Sequence, residues 1–356
     1  MRLILLIDMD YFFAACEELR RPEIKEKPVV VGADPKNGTA RGVVSTCNYI
    51  ARRYGIHSGM PISMAYRLKP DAVFLPVDDA YYENMSSKVM TIIKKYADRF
   101  EQASIDEAFV DVSESAEDYA GALKIANAIK EEIRNSLGLP CSIGIGPSKL
   151  IAKMACEAAK PNGIKLVKES EAKNFIADMP VSKLYGIGKK TAAKLESEGF
   201  KTVKDLANAN VMKLIDEFGV YGSELYKAAN GIDESKLQEN YEIKSIGREH
   251  TFETNTSNVE EIKNKIRELS KEVAQEVKKQ GFAFTIITLK IRYASFDERL
   301  KSKSLNYASD EQKDIELAAV FLLEKNYDGS EPIRKIGVRV SGLVQFKGQR
   351  KLESYW

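Results

Sequence analysis

Three carboxylates carry the chemistry most readily read from this chain. Asp8 closes the apolar run Leu3-Ile4-Leu5-Leu6-Ile7, and Asp106-Glu107 sit at a turn within Ala103-Ser104-Ile105-Asp106-Glu107-Ala108-Phe109. On adjacent strand ends they make an all-oxygen site of the kind Mg²⁺ favours, with substrate phosphates as further ligands. Two Mg²⁺ ions in such a site would activate an attacking hydroxyl and stabilise the leaving oxygen of a phosphoryl displacement. Acidic residues also cap strands and turns for structural reasons alone. Asp8 by itself therefore decides nothing, and other motifs must demand the same chemistry.

Several do. In Thr46-Cys47-Asn48-Tyr49-Ile50-Ala51-Arg52-Arg53, Tyr49 and Arg52 lie three apart and share a helix face. A hydroxyl beside a guanidinium suits a polyphosphate, although such a pair is also a common surface contact. Lys149, Lys153 and Lys160 recur at helical spacing, as a solvated basic face would, and Pro161-Asn162-Gly163 forces a turn that fixes Lys160. Phe12 and Phe13 follow Asp8-Met9-Asp10-Tyr11 directly. Both suit a core, and the sharper alternative gives one of them a nucleotide sugar to pack against. Gly186-Ile187-Gly188 opens a helix whose first residues include Lys189 and Lys190. Glycines let backbone approach a phosphate, and free N–H groups at a helix start bind anions. Such a turn reads DNA backbone without sequence preference, and a plain helix–helix turn is the competing explanation.

The elements that must position these groups fall into successive blocks. A strand is expected from Arg2 to Ile7, a helix from about Asp79 to Phe100, a hairpin at Asp106-Glu107, and a helix from Glu117 to Leu137. Cys141 to Gly146 reads as a strand, Ser148 as the N-cap of the next helix, and Ile164 to Val167 as a last strand. This is an α+β pattern with split βαβ character. From Ser170 to Gly231 the pattern is all helical, and residues 232–242 are polar as a linker would be. From Ile243 the order is strand, helix, strand, strand, helix, strand. The first of these helices lines up Val259, Ile262, Ile266, Leu269, Val273 and Val277 on one face. The strands Phe284 to Tyr293 and Ile333 to Val340 alternate, which leaves one sheet face for solvent or a ligand.

Composition narrows the class. A chain of 356 residues is expected to form two to four domains. With 44% hydrophobic and 30% charged residues it reads as globular, and a net charge of +2 leaves nucleic-acid binding to local patches. The two histidines, His57 and His250, argue against His-based triads and His-rich metal sites. Cys16, Cys47, Cys141 and Cys156 show no zinc spacing and read as free thiols of a reducing compartment. With no membrane-length apolar run and no signal peptide before Asp8, a cytoplasmic location is expected.

Taken in order, the motifs resemble one family, the Y-family DNA polymerases, and within it the DNA polymerase IV (DinB-type) branch. The resemblance covers residues 1 to about 341. It rests on Asp8-Met9-Asp10-Tyr11-Phe12-Phe13, Thr46-Cys47-Asn48-Tyr49-Ile50-Ala51-Arg52, Ser58-Gly59-Met60-Pro61, Ser104-Ile105-Asp106-Glu107-Ala108, Gly144-Ile145-Gly146 with Ser148-Lys149, and Ala159-Lys160-Pro161-Asn162-Gly163. It implies a right-hand polymerase: palm (1–11 and 78–167, βαββαβ), small fingers (12–77), helix-hairpin-helix thumb (168–232), linker (233–242) and βαββαβ little finger (243–341). It also implies template-directed, distributive, low-fidelity translesion synthesis by a monomer on primer-template DNA and dNTP. Asp8, Asp106 and Glu107 would hold two Mg²⁺ ions, with the Met9 carbonyl as a further ligand. Thr46, Tyr49, Arg52 and Lys160 would grip the triphosphate. Phe13 matches the steric gate, and Val43 and Ser45 match the residues over the nascent base pair. Lys149, Lys153, Gly186, Gly188, Lys189, Arg248, Arg334, Lys335 and Arg339 are the expected DNA contacts. Relatives often carry an aromatic where Met9 stands, but only the Met9 carbonyl is asked to act.

The chain ends Gln349-Arg350-Lys351-Leu352-Glu353-Ser354-Tyr355-Trp356. This resembles the PIP box, a short turn that docks into an apolar pocket of a PCNA-type sliding clamp. Gln349, Leu352, Tyr355 and Trp356 would be its contacts. Clamps of that type serve archaea and eukaryotes, and an archaeal source is expected for so compact a chain.

Overall fold

The computed structural model describes residues 1–239 and 242–345. They form two compact units, divided between Asn240 and Tyr241. The first unit begins with β1 (Ile4–Met9), α1 (Phe12–Arg20), β2 (Val29–Gly32), β3 (Val44–Cys47), α2 (Tyr49–Arg52), α3 (Ile62–Leu68) and β4 (Val73–Leu75). It continues through α4 (Asp79–Lys94), β5 (Arg99–Gln102), β6 (Glu107–Asp111), α5 (Tyr119–Leu137), β7 (Cys141–Gly146), α6 (Lys149–Ala159) and β8 (Ile164–Leu166). It closes with the helices α7 (Ala172–Ala177), α8 (Lys189–Ser197), α9 (Val203–Ala207), α10 (Val211–Phe218) and α11 (Val220–Ala229).

A five-stranded sheet ordered β5-β6-β1-β7-β8 is the platform of this unit. All six residues of β1 are buried because both faces of the sheet are covered. Leu5, Ile7 and Met9 join the main core with α1, α4 and α5. Ile4 and Leu6 face the other way, onto Phe109, Ala152 and Cys156 beneath α6. That second face demands a close approach. A Cβ at Gly144 would lie 2.0 Å from the Ala152 carbonyl oxygen and 2.2 Å from the Cys156 nitrogen, so only glycine lets α6 settle on β7.

Helix α6 serves two cores. Ala152 and Cys156 press on the sheet, while Leu150, Ile151, Met154 and Ala155 enter the core of the helices that follow. Its start is capped as expected, with Ser148 Oγ accepting from the Ile151 N–H at 3.3 Å. A separate three-stranded sheet, β3-β2-β4, carries α2 and α3 over a small core around Val30, Val44 and Ile62.

Three expectations change. The helix from Asp79 ends at Lys94, and Phe100 belongs to β5, where it pairs with Val110. The helical pattern loses there because Asp98 accepts the Glu114 and Ser115 N–H groups at 2.7 and 3.0 Å, which pulls the chain into the sheet edge. Phe12 and Cys16 of α1, placed by sequence in the fingers, pack in the core of the five-stranded sheet. The polar stretch from 233 is tied down in its first half. Leu150 N–H donates to Asp233 Oδ2 at 2.9 Å, Gln238 N–H donates to Glu101 Oε2 at 2.8 Å, and Leu237 packs against the Ile4–Leu6 face.

The second unit contains β9 (Ser245–Thr256), α12 (Val259–Lys279), β10 (Phe282–Tyr293), β11 (Glu298–Ser309), α13 (Gln312–Asn326) and β12 (Ile333–Ser341). Its element order is the expected one. The strands form an antiparallel sheet ordered β11-β10-β12-β9, with both helices packed on one face. Ile262, Ile266, Leu269, Val273 and Val277 of α12 are buried as expected, whereas Val259, in the first turn, is exposed. Beyond β12, Val344 and Gln345 pair with Ala283 and Phe282.

Candidate active site and nucleic-acid interface

The antiparallel register of β1 and β6 sets Asp8 directly opposite Glu107. Directly opposed side chains in such a pair lie within reach of each other. Asp8 is 4% exposed, and α6 answers the two acids with cations. Lys153 pairs with Glu107 and, at 3.3 Å, with Asp8. Lys160, just past the helix, reaches Asp8 at 2.8 Å. Glu157 joins from α6, bonded to Lys160 at 2.9 Å and to Lys153 at 3.3 Å. Among the described residues, Asp8, Glu107 and Glu157 each bring one carboxylate oxygen within 4.8 Å of the others. The donor set is all oxygen, which fits a hard divalent cation.

Charge is finely balanced in this corner. Burial opposes ionisation of Asp8, but the hydrogen bond with Glu107 and the Lys160 and Lys153 ammoniums outweigh it and keep its pKa low. Burial, then the hydrogen bond to Asp8, push Glu107 up to about 7. Burial also works against the charge on Lys153 and Lys160, yet the carboxylates around them hold both pKa values above the ordinary range. Asp106 sits on the turn before β6. Its carbonyl accepts the Met9 N–H at 3.0 Å, and its carboxylate accepts from Ser104 Oγ at 2.6 Å. Burial, and also the charge of Asp8, raise its pKa. Sequence grouped Asp106 with Asp8 and Glu107. The structure puts Glu157 in the tight cluster and leaves Asp106 beside it, held by its local bond to Ser104. The Met9 side chain is buried in the core, which leaves only its backbone for the site.

The other sequence candidates of the first unit lie on α1, on α2 and around β3. The Arg52 guanidinium lies over the Tyr49 ring at 4.7 Å, so the two share one face as their spacing requires. The Tyr49 hydroxyl donates to Asp10 Oδ1 at 3.1 Å. Phe13 is half-buried and stacks on Tyr82, centroids 4.2 Å apart and planes 11° apart. Tyr82 is fully buried and donates its hydroxyl to Glu17 at 2.8 Å, so the stack has a fixed base. Val43 and Ser45 are exposed and Thr46 is half-buried. The two expected DNA contacts on α6 have carboxylate partners. Lys149 pairs with Glu101 at 2.7 Å, and Lys153 belongs to the acid corner. The basic helix face read from sequence is thus largely turned inward.

Comparison with known proteins settles the family. Residues 7–157 match the impB/mucB/samB family, and residues 243–354 match its C-terminal domain. Residues 182–233 match the DNA polymerase-iota thumb domain. A DNA polymerase IV of Methanoculleus marisnigri is 43% identical over 96% of this chain and 94% of its own length. This chain belongs to the Y-family DNA polymerases, of the DNA polymerase IV (DinB) type. The enzyme is therefore a DNA-directed DNA polymerase. A DNA polymerase IV of Lactococcus lactis is 42% identical over 96% of the polymerase described here and 94% of the relative. Among solved structures, a Y-family polymerase chimera of Dbh and Dpo4 superposes with TM-score 0.87 at 30% identity, covering 96% and 99% of the two chains. An insertion ternary complex of Dbh DNA polymerase gives 0.67 at 29% identity with the same coverage.

The polymerase's expected DNA contacts fall into distinct settings. Gly186 has φ +92, in the left-handed region, and is exposed beside the start of α8. Gly188 is the N-cap without a side-chain bond, and Lys189 is exposed at the first turn. Tyr221 OH donates to the Gly186 carbonyl at 2.8 Å, which ties this turn to the start of α11.

In the second unit, Thr288, Lys290, Lys335 and Arg339 project from the sheet face opposite the helices. Lys290 and Lys335 share Glu249, each at 2.9 Å. Arg339 is exposed and has no acidic partner among the described residues. Arg248, paired with Val338, does not join this face. Arg248 reaches Glu276 of α12 at 3.6 Å, on the helical side, and the Arg334 guanidinium lies over Phe296 at 4.6 Å. The pairing of β12 with β9 shifts register between Ile333 and Lys335, and Ile333 is buried in the helix-side core, so simple alternation does not run through Arg334. The residues Gln349, Leu352, Tyr355 and Trp356 lie outside the described residues. No helix among the described residues is long and apolar enough to cross a membrane.

Proposed function

We propose that this polymerase performs low-fidelity, distributive translesion synthesis, adding dNMP to a primer 3′-hydroxyl with release of pyrophosphate. The observation that carries this reading is the acid pair of buried Asp8 and half-buried Glu107, set opposite each other by strand register and answered by Lys153 and Lys160. Asp8, Asp106 and Glu107, with the Met9 carbonyl, are the residues that would hold two Mg²⁺ ions. Bound there, Mg²⁺ supplies stabilisation of charge on the attacking and leaving oxygens. Tyr49, Arg52, Lys160 and Thr46 bind the triphosphate. Phe13, firm on Tyr82, packs under the deoxyribose and excludes a 2′-hydroxyl. Val43 and Ser45, small and exposed, leave little bulk against the nascent pair, which suits a damaged template. Lys149 and Lys153 act on the charge balance of the acid corner, and DNA backbone is left to Gly186, Gly188, Lys189, Arg334, Lys335 and Arg339.

The proposed domains are palm 1–11 and 78–167, fingers 12–77 with α1 packed against the palm sheet, thumb 168–232, linker 233–242 and little finger 243–341. The enzyme acts as a monomer in the cytoplasm. Its tail docks on a PCNA-type sliding clamp through Gln349, Leu352, Tyr355 and Trp356. Primer extension with each dNTP separately, on undamaged and abasic templates, tests the reading. Template-matched insertion and bypass are expected. Insertion of one base type regardless of template would refute it. For the tail, Tyr355→Ala with Trp356→Ala should abolish clamp stimulation at a cost of about 2 kcal/mol or more, with unassisted extension unchanged.

A further inference from the structure

Asp10 follows β1 directly and is 1% exposed. Its carboxyl receives hydrogen bonds from three separate parts of the first unit. Tyr49 OH donates to Oδ1 at 3.1 Å from the start of α2. Ser142 Oγ donates from β7, 3.0 Å from Oδ1 and 3.2 Å from Oδ2. The backbone N–H of Asn162 donates to Oδ2 at 2.8 Å. Asn162 lies two residues past Lys160, at φ +53 in the left-handed region, so its N–H orientation and the direction of the Lys160 turn are set together. Lys130 holds the other side of Asn162, donating to its Oδ1 at 2.6 Å.

The two groups that flank the acid corner are therefore fastened to one buried carboxyl. On one side stands Tyr49 with Arg52 stacked on its ring. On the other stands Lys160. A buried carboxyl that accepts three donors is fixed in place, because each donor it lost would leave a polar group without a partner. Asp10 is also too deep to meet a nucleotide.

We propose that Asp10 is a positioning residue for nucleotide binding, setting the separation of the Tyr49–Arg52 pair from Lys160 without touching substrate. This rests on the reading of those three residues as triphosphate ligands. Hydrogen-bond chemistry separates two variants. Asp10→Ala removes every acceptor and frees both sides. Asp10→Asn keeps a carbonyl oxygen for the Asn162 N–H, and its amide can donate to the Tyr49 hydroxyl oxygen, so the link survives with one bond reversed.

The test is single-turnover extension as a function of dNTP concentration, with DNA affinity measured alongside. Asp10→Ala should weaken dNTP affinity about tenfold or more. The maximal rate should fall much less, DNA affinity should hold, and Asp10→Asn should recover most of the loss. A merely structural role would lower the active fraction and leave dNTP affinity unchanged in both variants, which would overturn the proposal. If Asp10→Ala does not fold, Ser142→Ala loosens the same carboxyl and should weaken dNTP affinity in the same sense. Unchanged affinity there overturns the proposal as well. Arg52→Ala and Lys160→Ala are run beside these. If neither weakens dNTP binding, the triphosphate assignment itself has failed. If both do and Asp10→Ala does not, the assignment stands and the positioning role falls.

Discussion

The two units of the molecule treat charge in opposite ways. In the first, Asp8, Glu107 and Lys153 are brought together, and the lysine favours the charge of both acids as they favour its own. In the second, Lys263–Glu324 and Arg267–Glu316 lie on the helices at 2.7 and 3.0 Å with at least one partner more than half exposed. A buried charge that loses its partner is costly, whereas an exposed pair gains little over two hydrated ions. Charge in the first unit is thus held ready for a reaction. In the second, exposed cations remain without an acidic partner among the described residues, Arg339 on the sheet face being one of them.

Breaking the acid corner should have the largest effect. Asp106→Ala should slow nucleotide addition on the order of 10³-fold, since several kcal/mol of transition-state stabilisation go with a lost metal ligand. Single-turnover rates check this. Next in size is sugar choice. Phe13→Ala should raise the rNTP/dNTP incorporation ratio strongly. The melting point should fall only modestly, because the stacked ring pair contributes about 1 kcal/mol beyond its buried area. Core packing alone would instead lower stability and leave sugar selectivity unchanged.

Lys153→Met tests the balance of charge directly. It leaves Asp8 and Glu107 with less compensation and should cost about 3 kcal/mol of stability in the presence of a chelator. Millimolar Mg²⁺ should restore part of that loss, because a ligand that binds only the folded state stabilises it. Denaturant titrations with and without metal read both. Arg339→Ala should weaken DNA binding and reduce the dependence of log affinity on log salt by about one ion. Smallest of all, Lys263→Ala should leave the melting temperature unchanged within error, and a clear drop would show that surface pairs in the second unit do matter.

Much of this arrangement was legible in the chain. The apolar run before Asp8 and the turn at Asp106 specified two neighbouring strands, and apolar spacing specified α12. What escaped depended on register or on tertiary competition. Glu157 was visible only as the residue four beyond Lys153, and nothing local said that this face of α6 turns toward Asp8. Asp10 stood in a motif already in view, but its three donors come from positions 49, 142 and 162. β5 continued a helical pattern and was claimed by the sheet edge through Asp98. The side of the sheet taken by Arg248 needed the pairing of β9 with β12.

The division of labour between the two units is tested most directly by one crossed measurement: extension rate at saturating DNA, and DNA dissociation constant, for Asp8→Asn and Arg339→Ala. Asp8→Asn should lose extension on the order of 10³-fold with DNA affinity near wild type. Arg339→Ala should weaken DNA binding while the saturated rate stays near wild type. Extension by Asp8→Asn at the wild-type rate, or an equal loss of both properties in both variants, would contradict it.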